Sequence, residues 1–247
     1  MNTAERGANM GLTWFCVWDA SSPAVVHPHQ VEELLALLRG CPGLRAGHVM
    51  TPAEAHDPYY PQPSGSPALV VQIDMEDVAT LEAQLRPGGH LAPLADADFL
   101  PGLRGARVTQ QAMLQRRYDV PSPRAPSIAD TAFSYWVEYT GPAQDANAWH
   151  AHYMGGHPQL MAQLPGIRAI EIYTPAVSVC ELPIAERGCL QRNRSLFDSP
   201  QALSAAMLTP VREALREHFR RLPPFAGESR HFPFATFSIT LANGVAF

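Results

Sequence analysis

Three histidines and a tyrosine fall within eight residues of this chain: His150, His152, Tyr153 and His157. Histidine is the side chain whose ordinary pKa lets it gain or lose a proton near neutral pH, so such a group reads first as an acid–base or metal centre. The metal reading fails on spacing. Residues two apart in a helix point about 200° apart, so His150 and His152 do not share a face. His27, His29 and His56 sit in loop-like sequence without ligand spacing, and Cys16, Cys41, Cys180 and Cys189 form no CxxC pair. No metal is expected. The proton-transfer reading survives. At about 100° per residue, His150, Tyr153, Met154, His157, Leu160, Met161 and Leu164 share one helical face with His157 near its centre. His157, Tyr153 and His150 are the candidate catalytic residues, with His157 as general acid or base. Met154, Leu160 and Met161 are candidate ligand contacts. The alternative is a buried His157 satisfied by a backbone group.

Two further candidates lie on strand-like segments. In Leu190–Phe197, alternation puts Gln191, Asn193 and Ser195 on one face and Arg192 and Arg194 on the other. Asn193 is a candidate to orient a substrate oxygen. The arginines are expected to be solvated on an edge strand, the alternative being a carboxylate site. The aromatic strand holding Phe133, Tyr135, Val137 and Tyr139 carries Trp136 and Glu138 on its other face, and Trp136 is a candidate ligand contact.

Composition removes whole classes of chemistry. All 18 basic residues are arginine, and there is no lysine. Schiff-base and pyridoxal phosphate chemistry, the P-loop and the protein kinases each need a lysine amine. A net charge of -5 offers no broad basic surface to a nucleic acid backbone. No stretch approaches 18 apolar residues, and the first eleven residues carry no leader-like apolar core. Unpaired cysteines then fit a reducing, cytoplasmic setting. The expected partner is a small apolar or aromatic molecule, with no nucleic acid and no membrane.

The elements that must hold these residues come in two copies. Cys41–Ala53 matches Leu164–Ala176 at an offset of 123, with seven of thirteen positions identical. In the first copy, a strand at 12–18 precedes a helix at 29–39 with Val31, Leu34, Leu35 and Leu38 on one face. Strands at 44–50 and 68–73, a helix capped by Asp77 and a strand at 106–114 follow. The second copy repeats the order: a strand at 131–139, a helix at 146–164, and strands at 167–173 and 190–197. A helix from Ser199 to Phe219, bent near Pro210, and a strand at 229–241 close it. Each copy reads β-α-β-β-α-β, the ferredoxin-like arrangement. The expected class is α+β: tandem ferredoxin-like units whose sheets pack face to face as an intrachain pseudo-dimeric barrel. The expected divisions are 8–117, a Pro-rich linker at 118–128, and 129–247, as a monomer with an internal pseudo-two-fold or as a homodimer.

The offset also compares the copies. His157 corresponds to Leu34, Tyr153 to Gln30, Met154 to Val31, and His150 to His27. One copy has an apolar side chain where the other has its central histidine. The first unit is therefore expected to be a packed scaffold and the second to hold the pocket.

The second helix also carries a family resemblance. Residues 149–168 read Trp-His-Ala-His-Tyr-Met-Gly-Gly-His-Pro-Gln-Leu-Met-Ala-Gln-Leu-Pro-Gly-Ile-Arg. This resembles the first helix of EthD-like proteins: an aromatic-rich turn, a histidine closely followed by proline and leucine, then Leu-Pro-Gly and a strand. Here Pro158 follows His157 directly, whereas the family often has one residue between. The resemblance implies the dimeric α+β barrel superfamily, with two units in one chain. That superfamily includes cofactor-free monooxygenases, isomerases and cyclases, and also haem proteins. The expected function is small-molecule binding, with cofactor-free His/Tyr acid–base catalysis on an apolar or aromatic catabolic intermediate. A non-catalytic binding or accessory protein, or a structural pseudo-dimer, is the alternative.

Overall fold

A computed structural model describes residues 10–20, 25–60, 65–123 and 132–240. Residues 124–128 of the expected linker, and the expected strand ends Thr131 and Leu241, lie outside the described residues.

The first half runs β1 (Met10–Asp19), α1 (Pro28–Arg39), β2 (Leu44–Pro52), β3 (Leu69–Met75), α2 (Val78–Gln84) and β4 (Arg107–Tyr118). The second runs β5 (Ala132–Thr140), α3 (Ala146–Met161), β6 (Ala169–Pro175), the two-residue β7 (Ala185–Glu186), β8 (Cys189–Phe197), α4 (Pro200–Met207), α5 (Pro210–Arg220) and β9 (Glu228–Thr240). Local chemistry explains the boundaries. The side chains of Asp77 and Ser199 accept the backbone N–H groups of Thr80 and Ala202 at 2.8 and 3.1 Å, capping α2 and α4. Gly43 and Gly166 hold φ of 74° and 75°. The repeated Pro-Gly thus makes the same left-handed turn 123 residues apart, where a side chain would be strained. The helix expected to bend near Pro210 instead breaks after Met207. Proline lacks the N–H that would continue the helix, and Pro210 starts α5 anew.

The strands close into a barrel. Each half forms an antiparallel sheet, β4-β1-β3-β2 and β9-β5-β8-β6, and the seams β2–β9 and β4–β6 join the two. The expected face-to-face packing is therefore completed along both edges, as an eight-stranded antiparallel barrel inside one chain with helices outside. Short β7 pairs with β4 in parallel.

Closure corrects the reading of Arg192 and Arg194. They are not solvated on an edge, because β8 lies between β5 and β6 and a closed barrel has no edge to offer. Both point into the barrel, at 0% and 2% exposure. Arg192 Nε donates to Glu138 at 2.9 Å and Arg194 Nε to Glu171 at 2.7 Å. Burial alone would raise both carboxyls, but the arginines hold each down to about 2. Phe15, Met113, Trp136, Tyr173 and Phe232 fill the space around the ion pairs. The opposite strand faces meet the helices in two apolar layers, one per half. Among the described residues, no helix is long and apolar enough to cross a membrane.

Candidate active site

Helix α3 survives Pro158 and runs on to Met161. Its buried line is Trp149, Tyr153, His157 and Met161, one residue every turn. The expected stripe is thus rotated. Trp149 joins it, while His150, Met154 and Leu160 lie half-buried on its flanks.

This rotation divides the candidate residues between two depressions. His157 lines a half-open cleft of about 260 Å³ with Tyr60, Tyr139, Arg212, Phe219 and His231. His150 and Met154 line a separate, more open groove of about 510 Å³ with Arg116 and Leu190 on the other flank of α3. There His150 Nε2 donates to the Leu190 carbonyl at 3.2 Å. Tyr153 lies behind His157, with ring centroids 4.3 Å apart. Its hydroxyl accepts from Asn193 Nδ2 at 2.5 Å and lies 3.2 Å from that of Tyr139. Asn193 therefore holds Tyr153. Leu160 and Met161 pack into the second apolar layer, and Trp136 faces the barrel interior against Phe232. The structure brings His157 and Tyr153 together and does not bring His150, Met154 or Trp136 to them.

Helix α5 forms the facing wall. His157 Nδ1 meets His218 Nδ1 at 3.3 Å. Gly156 permits this approach, because a Cβ there would lie 2.4 Å from His218 Nε2. Burial, with His218 and Arg212 nearby, pushes the His157 pKa down to about 3, so the ring is neutral at neutral pH.

The loop after β2 crosses from the first half to complete the cleft. Asp57 Oδ2 accepts from the Tyr135 hydroxyl, and from Arg212 Nε and Nη2 at 3.1 and 2.9 Å. The Tyr135 oxygen in turn lies 3.0 Å from His231 Nδ1. Tyr60 stacks on His231 with centroids 3.6 Å apart. Burial, Arg212 and His157 hold the His231 pKa well below its ordinary value, and burial raises that of Tyr135, which stays a donor. The cleft thus presents two neutral imidazoles and the Asp57-held Arg212 between aromatic faces, with Arg216 and Arg220 also on its lining. It can seat a planar ring, stabilise an oxyanion and accept a proton.

The first half shows what the same framework looks like when filled. Strand pairing sets the correspondence: Met113 opposes Pro175 and Phe234 opposes Pro52, and the two prolines are equivalent in the repeat. Counting back, Gln110 corresponds to His231 and Trp14 to Tyr135. Trp14 Nε1 donates to Gln110 Oε1 at 2.8 Å, in the place of the Tyr135–His231 contact. Leu34 is fully buried. The loop after β6 crosses over as the loop after β2 does, but it brings Leu182 and Ile184, which pack with Leu34 in one apolar cluster.

Sequence reasoning missed Asp57, Tyr60, Tyr135, Arg212 and His231. A signal existed for one of them. At the offset of 123, Asp57 stands opposite Cys180, a polar-for-apolar exchange like that of His157 for Leu34. Among the described residues no cluster of His, Cys, Asp and Glu is arranged to hold a metal.

Comparison with solved structures places the fold. The chain resembles an anthrone oxidase-like protein with a TM-score of 0.62 at 16% identity, over 96% of this chain and 95% of that one. It resembles a candidate monooxygenase of Fusobacterium nucleatum with a TM-score of 0.57 at 8% identity, over 98% of both. Identity this low establishes the shared fold alone, a dimeric α+β barrel formed here within one chain. An EthD family protein of Bacillus halodurans matches at 0.32 and 20% identity over 40% of this chain and 95% of that one, too slight a likeness to weigh. No protein-family model and no curated protein matches the chain.

Proposed function

We propose that the cleft between α3, α5 and the barrel binds a small aromatic molecule bearing a keto or phenolic oxygen and takes a proton from it. The protein is then a cofactor-free, EthD-like enzyme of the monooxygenase kind. One observation carries the reading. Of two equivalent places in the repeated framework, one is plugged by Leu34, Leu182 and Ile184, and the other opens to Tyr60, Tyr139, Phe219, Arg212 and two imidazoles. A volume of about 260 Å³ falls just below the usual range of ligand pockets, roughly 300–1,000 Å³. It suits a compact ring system.

The chemistry follows from the groups present. Losing a proton from carbon next to a ring or carbonyl leaves an anion whose charge rests largely on oxygen, where a fixed guanidinium lowers its energy. Such a carbanion reduces O2. A carbon–oxygen bond forms, protonation gives a hydroperoxide, and loss of water leaves a carbonyl. In sum, CH2 and O2 become C=O and H2O, so the electrons balance without an added reductant. The names of the two structurally similar proteins favour this course over isomerisation or cyclisation, which begin with the same proton transfer.

The test is a titration of the protein with anthrone and other keto- and hydroxy-aromatics, followed by intrinsic fluorescence and O2 uptake. Saturable binding, with uptake for compounds that have an acidic C–H, is expected. Absence of both across the panel refutes the proposal. The low basicity that burial imposes on both cleft imidazoles, His157 and His231, favours a second reading, ligand carriage without turnover. Saturable binding without O2 uptake or proton exchange would select it.

A further inference from the structure

His231 lies on β9, 74 residues beyond the histidine that the sequence singles out. Its hydrogen bonds leave it one tautomer. Tyr135 has a single hydroxyl proton, and the Asp57 carboxylate, which only accepts, takes it. The contact between the Tyr135 oxygen and His231 Nδ1 at 3.0 Å therefore needs its hydrogen from the imidazole. Nδ1 carries the proton, and Nε2 carries a lone pair. His231 is buried and lines the cleft, and Tyr60 stacked on its face fixes the ring plane. Arg212 gives Nε and Nη2 to Asp57. That leaves its Nη1 without a hydrogen bond among the described residues, while Arg212 also lines the cleft.

We infer that His231 is the proton acceptor of this cleft, oriented by an Asp57–Tyr135 relay, and that Arg212 holds the ligand oxygen on which the negative charge develops. The inference rests on the cleft being the substrate site. It names the substrate class more narrowly: an aryl ketone or phenol whose acidic C–H lies within one ring of its oxygen. In the step, the C–H bond breaks and the proton goes to Nε2. The electron pair moves through the ring to the oxygen facing Arg212, while Nδ1–H stays on Tyr135. No redox partner is needed for this step.

The comparison within the chain supports the assignment. At the equivalent register the first half joins Trp14 to Gln110 at 2.8 Å, a hydrogen bond in the same place between groups that do not titrate. The second half replaces both members with ionisable residues and adds a carboxylate from the crossing loop. Structural duty alone does not require that change, since the first half meets it without any titrating group.

Three measurements test this, with anthrone as the probe. The first is the ring 15N spectrum of the unliganded protein. His231 is expected as the Nδ1–H tautomer, and the Nε2–H tautomer overturns the inference whether or not any ligand binds. The second is hydrogen–deuterium exchange at the acidic carbon of bound anthrone in D2O. His231→Gln should slow it by about 100-fold or more while anthrone affinity stays within about threefold of wild type. The isosteric Tyr135→Phe, which keeps the packing, should lower kcat with little change in KM and shift the pH profile, because it frees the imidazole to change tautomer. Exchange at the wild-type rate in His231→Gln, with loss in His157→Gln instead, overturns the assignment and leaves the cleft's function standing. A wild-type protein that neither binds anthrone nor speeds exchange removes that function and this inference with it.

Discussion

His157 and His218 face each other Nδ1 to Nδ1 at 3.3 Å, so one ring is the donor and the other, unprotonated at that nitrogen, the acceptor. The folded His157 resists protonation down to about pH 3, chiefly because it is buried. In the unfolded chain it takes a proton near its ordinary value of about 6.5. Between those values the unfolded state binds more protons. The stability due to this neutral ring is therefore complete above about pH 6.5 and is lost as pH falls toward about 3, by up to about 1.4 kcal/mol per pH unit. Leucine fills the equivalent place in the first half, so His157→Leu should fold. Urea titrations at pH 7 and pH 5 should show wild type losing about 2 kcal/mol more than the variant over that interval. Equal losses would mean that His157 titrates normally in the fold.

Gly156 should tolerate alanine in stability but not in geometry. Alanine is worth up to about 1 kcal/mol over glycine in a helix interior. Its Cβ would meet the far end of the His218 ring, a side chain that can turn away. Gly156→Ala is expected to unfold within about 1 kcal/mol of wild type and to break the His157–His218 contact, visible as altered 15N shifts of both rings. Unchanged shifts would show that α3 and α5 move apart instead.

The sequence carried the barrel's parts more clearly than its closure. Periodicity located α1 and α3, and Pro-Gly located the turns at Gly43 and Gly166, because each rests on neighbouring residues. The seams β2–β9 and β4–β6 pair residues far apart in sequence, and no local pattern specifies them. That is why Arg192 and Arg194 read as an edge: burial of two arginines makes sense only once Glu138 and Glu171 are known to lie opposite. The site divides in the same way. His157 stood out against Leu34 inside the repeat, and Tyr153 beside it. Asp57, Tyr135, Arg212 and His231 come from four separate segments, and what joins them is a hydrogen-bond chain that exists after folding.

The plug in the first half should behave as core. Leu182 and Ile184 are both 7% exposed and pack with Leu34 and Leu85, and the Glu181 N–H ties their loop to the Leu85 carbonyl at 3.0 Å. Ile184→Ala should cost about 2–5 kcal/mol by denaturant unfolding, through lost burial and the cavity left behind. Leu215 is equally buried but lines the open cleft, where water or ligand replaces lost volume, so Leu215→Ala should cost about half as much or less. Equal costs would mean that the two halves are filled alike, against the asymmetry on which the proposed function depends.

Glu138 should couple the halves. It is fully buried, accepts from Arg192 Nε at 2.9 Å, and takes Arg187 Nε and Nη2 at 2.7 and 2.8 Å. The remaining nitrogen of Arg187, Nη1, donates to Asp19 on β1 at 2.6 Å, so this network spans both sheets. Glu138→Gln keeps an oxygen that can accept from Arg192 Nε but removes the countercharge, and the other contacts of this buried guanidinium are sulfur atoms and the rings of Phe15 and Trp136. Removing one partner of such a pair costs about 3–5 kcal/mol. Removing both costs much less, because no unpaired charge stays inside. Glu138→Gln should therefore lower the urea midpoint of the whole molecule in one transition, and Glu138→Gln with Arg192→Met should recover most of the loss. If the single variant instead split unfolding into two transitions, one per half, the barrel would be two separable sheets, and the ion network would not be what holds them as one.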